Sequence, residues 1–381
     1  MTLEQKVELK KGLKDVYFDR TNISDVDPSG KLIYRGYNIH DLAPNSSFEE
    51  VCYLLLKGSL PTKAQLAEFE SQIRSSRQVP SEVLQVIRIT KSAYPMDVLR
   101  TAVSAMALSD KDVNNMSPEA VYQKSVRITA AVPTIVAAHD RIRRGLEPLS
   151  PRNDLGHAAN FLYMLTGAVQ DPQDARLIDK DFLLHAEHGV NASTFAGRVA
   201  ASTSSDYYAA ITAAIATLKG PKHGGAAEAV MQMAEEIGSE ENAESYVENV
   251  LASGGRVMGF GHAVYKDVDP RSVHLRADAE ALGTRKGNPK WFRIIAALTE
   301  TKAMKRRARL GINPNVDLWS GSVYALMGIP KDLYVPIFAI GRMPGWSAHV
   351  IEQYEDKNIL RPRLLYAGQM DLAYVPIEKR G

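Results

Sequence analysis

Apolar positions recur at helical spacing along most of the 381 residues, which predicts a mainly α protein. Ser47-Phe48-Glu49-Glu50 reads as a capping box, followed by an apolar run at 51–56 that stops at Gly58. Thr62 and Gln65 make a second box after Pro61, and Ser117-Pro118-Glu119 sets a cap before a proline at the first helical position. Residues 206–218 are Ala-rich, apolar on most of their surface and closed by Gly220-Pro221, so this helix is expected to lie buried against others. Asp269-Pro270-Arg271 predicts the cap and opening of another helix, and 289–309 predicts a single long one. Strand patterns are few. Alternating runs at 21–26 and 31–35 flank Asp27-Pro28-Ser29-Gly30, which predicts a small N-terminal β hairpin. There is no repeat of solenoid period and no low-complexity linker, so domains are expected to be interleaved rather than tethered.

Composition changes this picture little. With 45% hydrophobic and 24% charged residues the chain can build a large globular core, and its length allows more than one domain. A net charge of +2 supplies no global field for nucleic acid or an anionic membrane. No apolar run reaches the length of a membrane span, and residues 1–14 are polar, without the apolar stretch of a secretory signal. The one cysteine, Cys52, excludes an internal disulfide framework and sits in an apolar helical pattern, as a buried core thiol would. These features point to a cytoplasmic protein.

Four segments carry candidate chemistry. In Gly220-Pro221-Lys222-His223-Gly224-Gly225 a histidine stands just ahead of a new helical pattern. Free N–H groups and the helix dipole there disfavour a positive charge, so His223 is expected to be neutral and able to donate a hydrogen bond to an oxygen that is becoming negative. The stretch His185-Ala186-Glu187-His188-Gly189-Val190-Asn191-Ala192-Ser193 lacks the i, i+4 spacing of a zinc helix and a nearby third ligand. Structurally satisfied histidines and a substrate-orienting role for His188 and Asn191 are its other readings. Gly259-Phe260-Gly261-His262 lacks the third glycine of a dinucleotide fingerprint, whereas its close glycines, followed by Lys266, suit a nucleotide held partly by main-chain groups. Asp317, after Asn313-Pro314-Asn315-Val316, reads either as a helix cap or as a general base. Arg271, Arg342 and Arg361 stand beside prolines or glycines; singly they read as surface ion pairs, and as a set they suit a dicarboxylate. Lys302, Lys305, Arg306 and Arg309 form a cationic stripe that reads as a solvated face.

Taken together, HAEHGVNAS, GPKHGG, GFGHAVYK with the following DPR, NPNVD, IGR and LRPR resemble the citrate synthase family in its short bacterial and archaeal form, in order and spacing, over about residues 15–368. The resemblance implies an almost all-helical two-domain fold, with a large helical domain from 1–219 and 325–381 and a small helical domain, 220–324, inserted in it. It implies a homodimer whose active sites lie in the domain cleft, each completed by the other subunit, with further assembly left open. The implied reaction condenses acetyl-CoA with oxaloacetate and water to citrate and CoA, entering the tricarboxylic acid cycle through an enol or enolate. The coenzyme A thioester is then a co-substrate, and no tightly bound cofactor and no metal are expected. By the same resemblance Asp317 takes the methyl proton, His223 donates to the thioester oxygen and His262 polarises the ketone. His188, Asn191, Arg271, Arg342 and, from the partner chain, Arg361 hold oxaloacetate. Gly259, Phe260, Gly261 and Lys266 meet coenzyme A. Ala263 departs from the arginine that many short bacterial relatives carry after the histidine. Three alternatives stand beside this reading. A 2-methylcitrate synthase would use propionyl-CoA, one methylene larger. An inactive helical scaffold would be expected to have lost His223, His262 or Asp317, all of which are intact. A metal-dependent hydrolase would rest on His185 and His188.

Overall fold

The computed structural model describes residues 8–13 and 16–381, so of the polar stretch 1–14, residues 1–7 and 14 lie outside the description. Among the described residues there are seventeen α-helices and one three-stranded sheet. None of these helices is long and apolar enough to cross a membrane.

Local signals set most boundaries. The hairpin forms as β1 (Ser24–Asp27) and β2 (Lys31–Tyr34), antiparallel, with Ser24 opposite Tyr34 and Asp27 opposite Lys31. A third strand, β3 (Tyr37–Asn38), follows because Gly36 reverses the chain at φ 91°, a conformation open to glycine. The Thr62–Gln65 box closes reciprocally at the start of helix Lys63–Ser75. The box at Ser47 is only half made: Ser47 caps the N–H of Glu50, but the Glu50 carboxylate turns to the Ser46 hydroxyl instead. The Ala-rich helix is Tyr207–Leu218, capped by Asp206 and packed on helices Ala192–Ser202 and Pro95–Met106. The long helix expected over 289–309 is two helices, Lys290–Glu300 and Lys302–Ala308. Thr301 is extended between them (ψ 146°), and its hydroxyl caps the N–H of Met304, so the second helix has its own start.

Two long helices form the centre. Pro118–Arg143 and Tyr334–Asp356 pack on each other and bury most of their length. Helices Pro172–His185 and Ala192–Ser202 pack on Tyr334–Asp356, which places the 185–193 turn against the core. Helices between 226 and 326 pack chiefly on one another. Ala226–Ile237 and Pro270–Arg285 both lie on Asp317–Leu326, and Lys290–Glu300 closes that group. The sheet bridges the two groups. The Tyr34 hydroxyl donates to the Glu187 carbonyl (2.8 Å), while at the hairpin tip the Pro28 carbonyl accepts from the Lys266 N–H (2.9 Å).

Candidate active site

Asp317 and His262 come from segments that are stitched together. The Gly261 N–H donates to the Asn313 carbonyl (2.8 Å), the Asn315 N–H to the Gly259 carbonyl (2.9 Å), and Asn315 Nδ2 to the Gly261 carbonyl (3.0 Å). Both glycines adopt positive φ, 79° and 83°. A Cβ on Gly259 would stand 2.7 Å from Leu318 Cδ1, so this glycine makes room for the protein's own helix Asp317–Leu326. At Gly261 the nearest atom, on Ile312, would be 3.6 Å away, an ordinary contact, so there the positive φ rather than crowding favours glycine.

The capping alternative for Asp317 fails. Asn315 Oδ1 accepts from the Asp317 N–H (3.1 Å) and supplies the turn, while Asp269 accepts from the Val316 N–H (3.2 Å). Asp317 is instead the first residue of its helix. Burial raises its pKa to about 6; His185 and Arg271 pull it down, and Asp269 and Asp181 push it up.

His262 is locked in one form. Its Nδ1 accepts from the backbone N–H groups of Val264 (3.1 Å) and Tyr265 (3.0 Å), so the ring's single proton sits on Nε2. An imidazolium would place a proton on Nδ1, against two donors. Burial and the positive charge of Arg271 lower its pKa to about 4. His262 therefore presents a neutral N–H donor, stacked on Tyr265 at 4.5 Å between ring centroids. His188 lies edge-on to His262 (4.9 Å), shares a 3.0 Å hydrogen bond with the Tyr265 hydroxyl, and is held well below the usual histidine range by burial and then Arg271.

His223 lies in the turn before helix Ala226–Ile237, as the glycines predict. A Cβ on Gly224 would stand 2.5 Å from the Leu218 carbonyl, so this position needs glycine. The pKa of His223 falls to about 4, lowered by burial and then by the charge of Arg342. Its Nε2 lies 2.8 Å from Ser193 Oγ. Ser193 also receives the indole N–H of Trp346 (3.1 Å) and lies 2.7 Å from Asn191 Oδ1. The hydroxyl thus has one proton for two acceptors, and where it points decides which nitrogen of His223 is the donor.

Two buried arginines flank these groups. Arg271 grips Asp269 through Nε (3.0 Å) and Nη2 (2.7 Å), which leaves Nη1 over. Arg342 donates through Nε to the His185 carbonyl and lies on the Phe338 ring, while its buried Nη1 has no partner among the described residues. Burial without a carboxylate partner lowers its pKa to about 10. A cation kept this way suits an anionic ligand.

The other expected residues fare differently. Asn191 caps helix Ala192–Ser202 with its oxygen, accepting from the N–H groups of Ser193 and Thr194, so only its Nδ2 is left for a ligand. Lys266 is exposed and Phe260 half-buried. Arg361 lies in the exposed segment after Asp356 and, among the described residues, makes no hydrogen bond or ion pair with the residues above. Among the described residues no three His, Cys, Asp or Glu side chains are grouped to hold a metal ion. The sequence assigns no role to Ser193 or Tyr265, and to Asp269 only that of a helix cap. Ser193 and Tyr265 lie inside the motif segments and are polar where an apolar residue would serve packing alone. Asp269 reads as a cap but also pairs Arg271 and fixes Val316.

A family model described as "Citrate synthase, C-terminal domain" matches residues 12–363. Citrate synthase 2 of Bacillus subtilis is 44% identical over 97% of this chain and 99% of its own length. A 2-methylcitrate synthase of Mycobacterium tuberculosis is 42% identical, covering 96% and 92%. Among solved structures, citrate synthase from Pyrobaculum aerophilum superposes with a TM-score of 0.91 at 42% identity, covering 97% of this chain and 95% of that one. The Thermoplasma acidophilum enzyme, solved as a ternary complex with carboxymethyl coenzyme A and oxaloacetate, superposes at 0.92 with 34% identity, covering 98% and 100%. With a match of this breadth in both sequence and fold, the chain belongs to the citrate synthase family.

Proposed function

We propose that this condensing acyltransferase joins acetyl-CoA to oxaloacetate, with His223, His262 and Asp317 as its acid–base set. The reading is carried by His262, whose backbone-locked neutral tautomer offers a fixed N–H donor beside two buried arginines. Asp317 takes a proton from the acetyl methyl group as His223 donates to the thioester oxygen. One donor fixed in a dry site is worth roughly 3–4 kcal/mol toward such an oxyanion. The enol carbon attacks the oxaloacetate ketone, whose oxygen gathers charge against His262 Nε2–H. Water then cleaves citryl-CoA to citrate and CoA. In this reading Arg271, Arg342 and His188 hold oxaloacetate, Asn191 holds the helix that carries Ser193, and Gly261, Phe260, Gly259 and Lys266 border coenzyme A.

The helices of 220–324 move as the small domain against the remainder, which excludes water until the carbon–carbon bond forms. The protein acts in the cytoplasm as a homodimer. The dimer reading is supported by the apolar tail, where Leu364 is 99% and Tyr374 82% exposed in the single chain. Arg361, on the same tail, then serves the partner's site. Release of thiol from acetyl-CoA and from propionyl-CoA, each with oxaloacetate, tests the proposal. A kcat/KM higher for acetyl-CoA is expected. A preference for propionyl-CoA makes the protein a 2-methylcitrate synthase, and no thiol release from folded protein overturns the catalytic reading.

A further inference from the structure

Away from these residues, His40 Nδ1 and His274 Nε2 face each other at 3.0 Å. Each imidazole sits on a fixed backbone. His40 is the second residue of helix Ile39–Asn45, where its N–H is capped by Asn38 (2.9 Å), and His274 lies in the second turn of the 16-residue helix Pro270–Arg285. The two helices belong to the two packing groups that the sheet bridges. His40 is exposed and His274 half-buried, so solvent reaches the pair. One turn beyond His274, on the same helix face, lies Asp278. Its Oδ1 binds Lys180 (2.9 Å), and its Oδ2 is buried without a partner among the described residues. Asp278 also lines a cavity of about 330 Å³ between its helix and Pro172–His185.

We propose that His40 and His274 form a binding site for a divalent transition-metal ion such as Zn²⁺ or Ni²⁺, bridging helices Ile39–Asn45 and Pro270–Arg285, with these two imidazoles as its protein ligands. Two nitrogens bound to one zinc stand ~2.9 Å apart at a right angle and ~3.3 Å at a tetrahedral one, given a Zn–N bond of about 2.0–2.1 Å. The observed spacing therefore needs little rearrangement. Neutral imidazole suits zinc, nickel and copper. The proton shared between the facing nitrogens leaves with a tautomeric shift: the ring that carries it protonates its outer nitrogen, and both inner lone pairs then point at the ion. Water completes the coordination, and the Lys180–Asp278 ion pair lies one turn beyond.

Calorimetry on the full chain with ZnCl₂, and separately NiCl₂, tests the site. One ion per chain is expected, with a rise in melting temperature, because the ion binds only where both helices are in place. His40→Ala and His274→Ala are each expected to weaken binding at least about tenfold, the lower end of what the loss of an outer partner costs, and to erase the thermal shift. Both sites are outside the proposed catalytic set, so metal-free turnover by the variants reports that they are folded. Absence of binding to the wild type overturns the proposal, as does equal affinity in both histidine variants, which would place the ion on other histidines.

Discussion

Burial gives Asp317 and the histidines opposite shifts, and both shifts favour the same reaction. Asp317 is raised to about 6, so it is ionised at neutral pH yet a stronger base than an ordinary carboxylate. Its active form is lost as pH falls, so kcat/KM is expected to drop through pH ~6 on the acid side; a rate flat down to pH 5 would contradict the assignment. Asp317→Asn is expected to lose about 10²–10⁴-fold in turnover, with oxaloacetate binding retained in a calorimeter. Ser193→Ala leaves His223 Nε2 and the Trp346 indole without their common partner. A small misorientation of the donor is enough to cost about 10²-fold, so kcat is expected to fall that far with little change in the oxaloacetate KM. The candidate residues themselves were legible in the sequence because glycines, prolines and short polar runs mark them. Their states were not. The neutrality of His262 depends on two backbone N–H groups that turn back onto it, and the freedom of Asp317 from capping depends on Asn315.

Helices read from the sequence succeed where a cap or stop is local, as at Thr62, Asp206 and Gly58. They fail at Thr301, where apolar spacing continues across a threonine whose break serves packing rather than periodicity. Close approach between elements is equally hidden. Gly345, inside helix Tyr334–Asp356, faces the 185–188 turn, and a Cβ there would overlap the Ala186 carbonyl and the Glu187 carboxylate. Gly345→Ala is expected to destabilise the fold by roughly 1–3 kcal/mol, read by denaturant unfolding. It is also expected to raise the oxaloacetate KM, because the displaced turn carries His188. An unchanged midpoint would show that the helix can slide aside.

Across the whole molecule, the single chain leaves its tail exposed, Arg361 with it. No pattern within one sequence tells which surface a second copy covers. Arg361→Ala is expected to raise the oxaloacetate KM. Mixed dimers of Arg361→Ala with Asp317→Asn should recover one site of two with the unmutated KM if Arg361 acts across the interface, whereas only the raised KM of Arg361→Ala in such mixtures would place it in its own chain's site. The N-terminal ribbon has a related reach. It contributes no proposed catalytic group, yet its tip leans on the segment that presents His262, with Lys266 hydrogen-bonded to Pro28 and Val268 pressed against Gly30. Damage to those first forty residues, by clipping or by a bulky fusion, should therefore surface as a sluggish enzyme before it surfaces as an unfolded one.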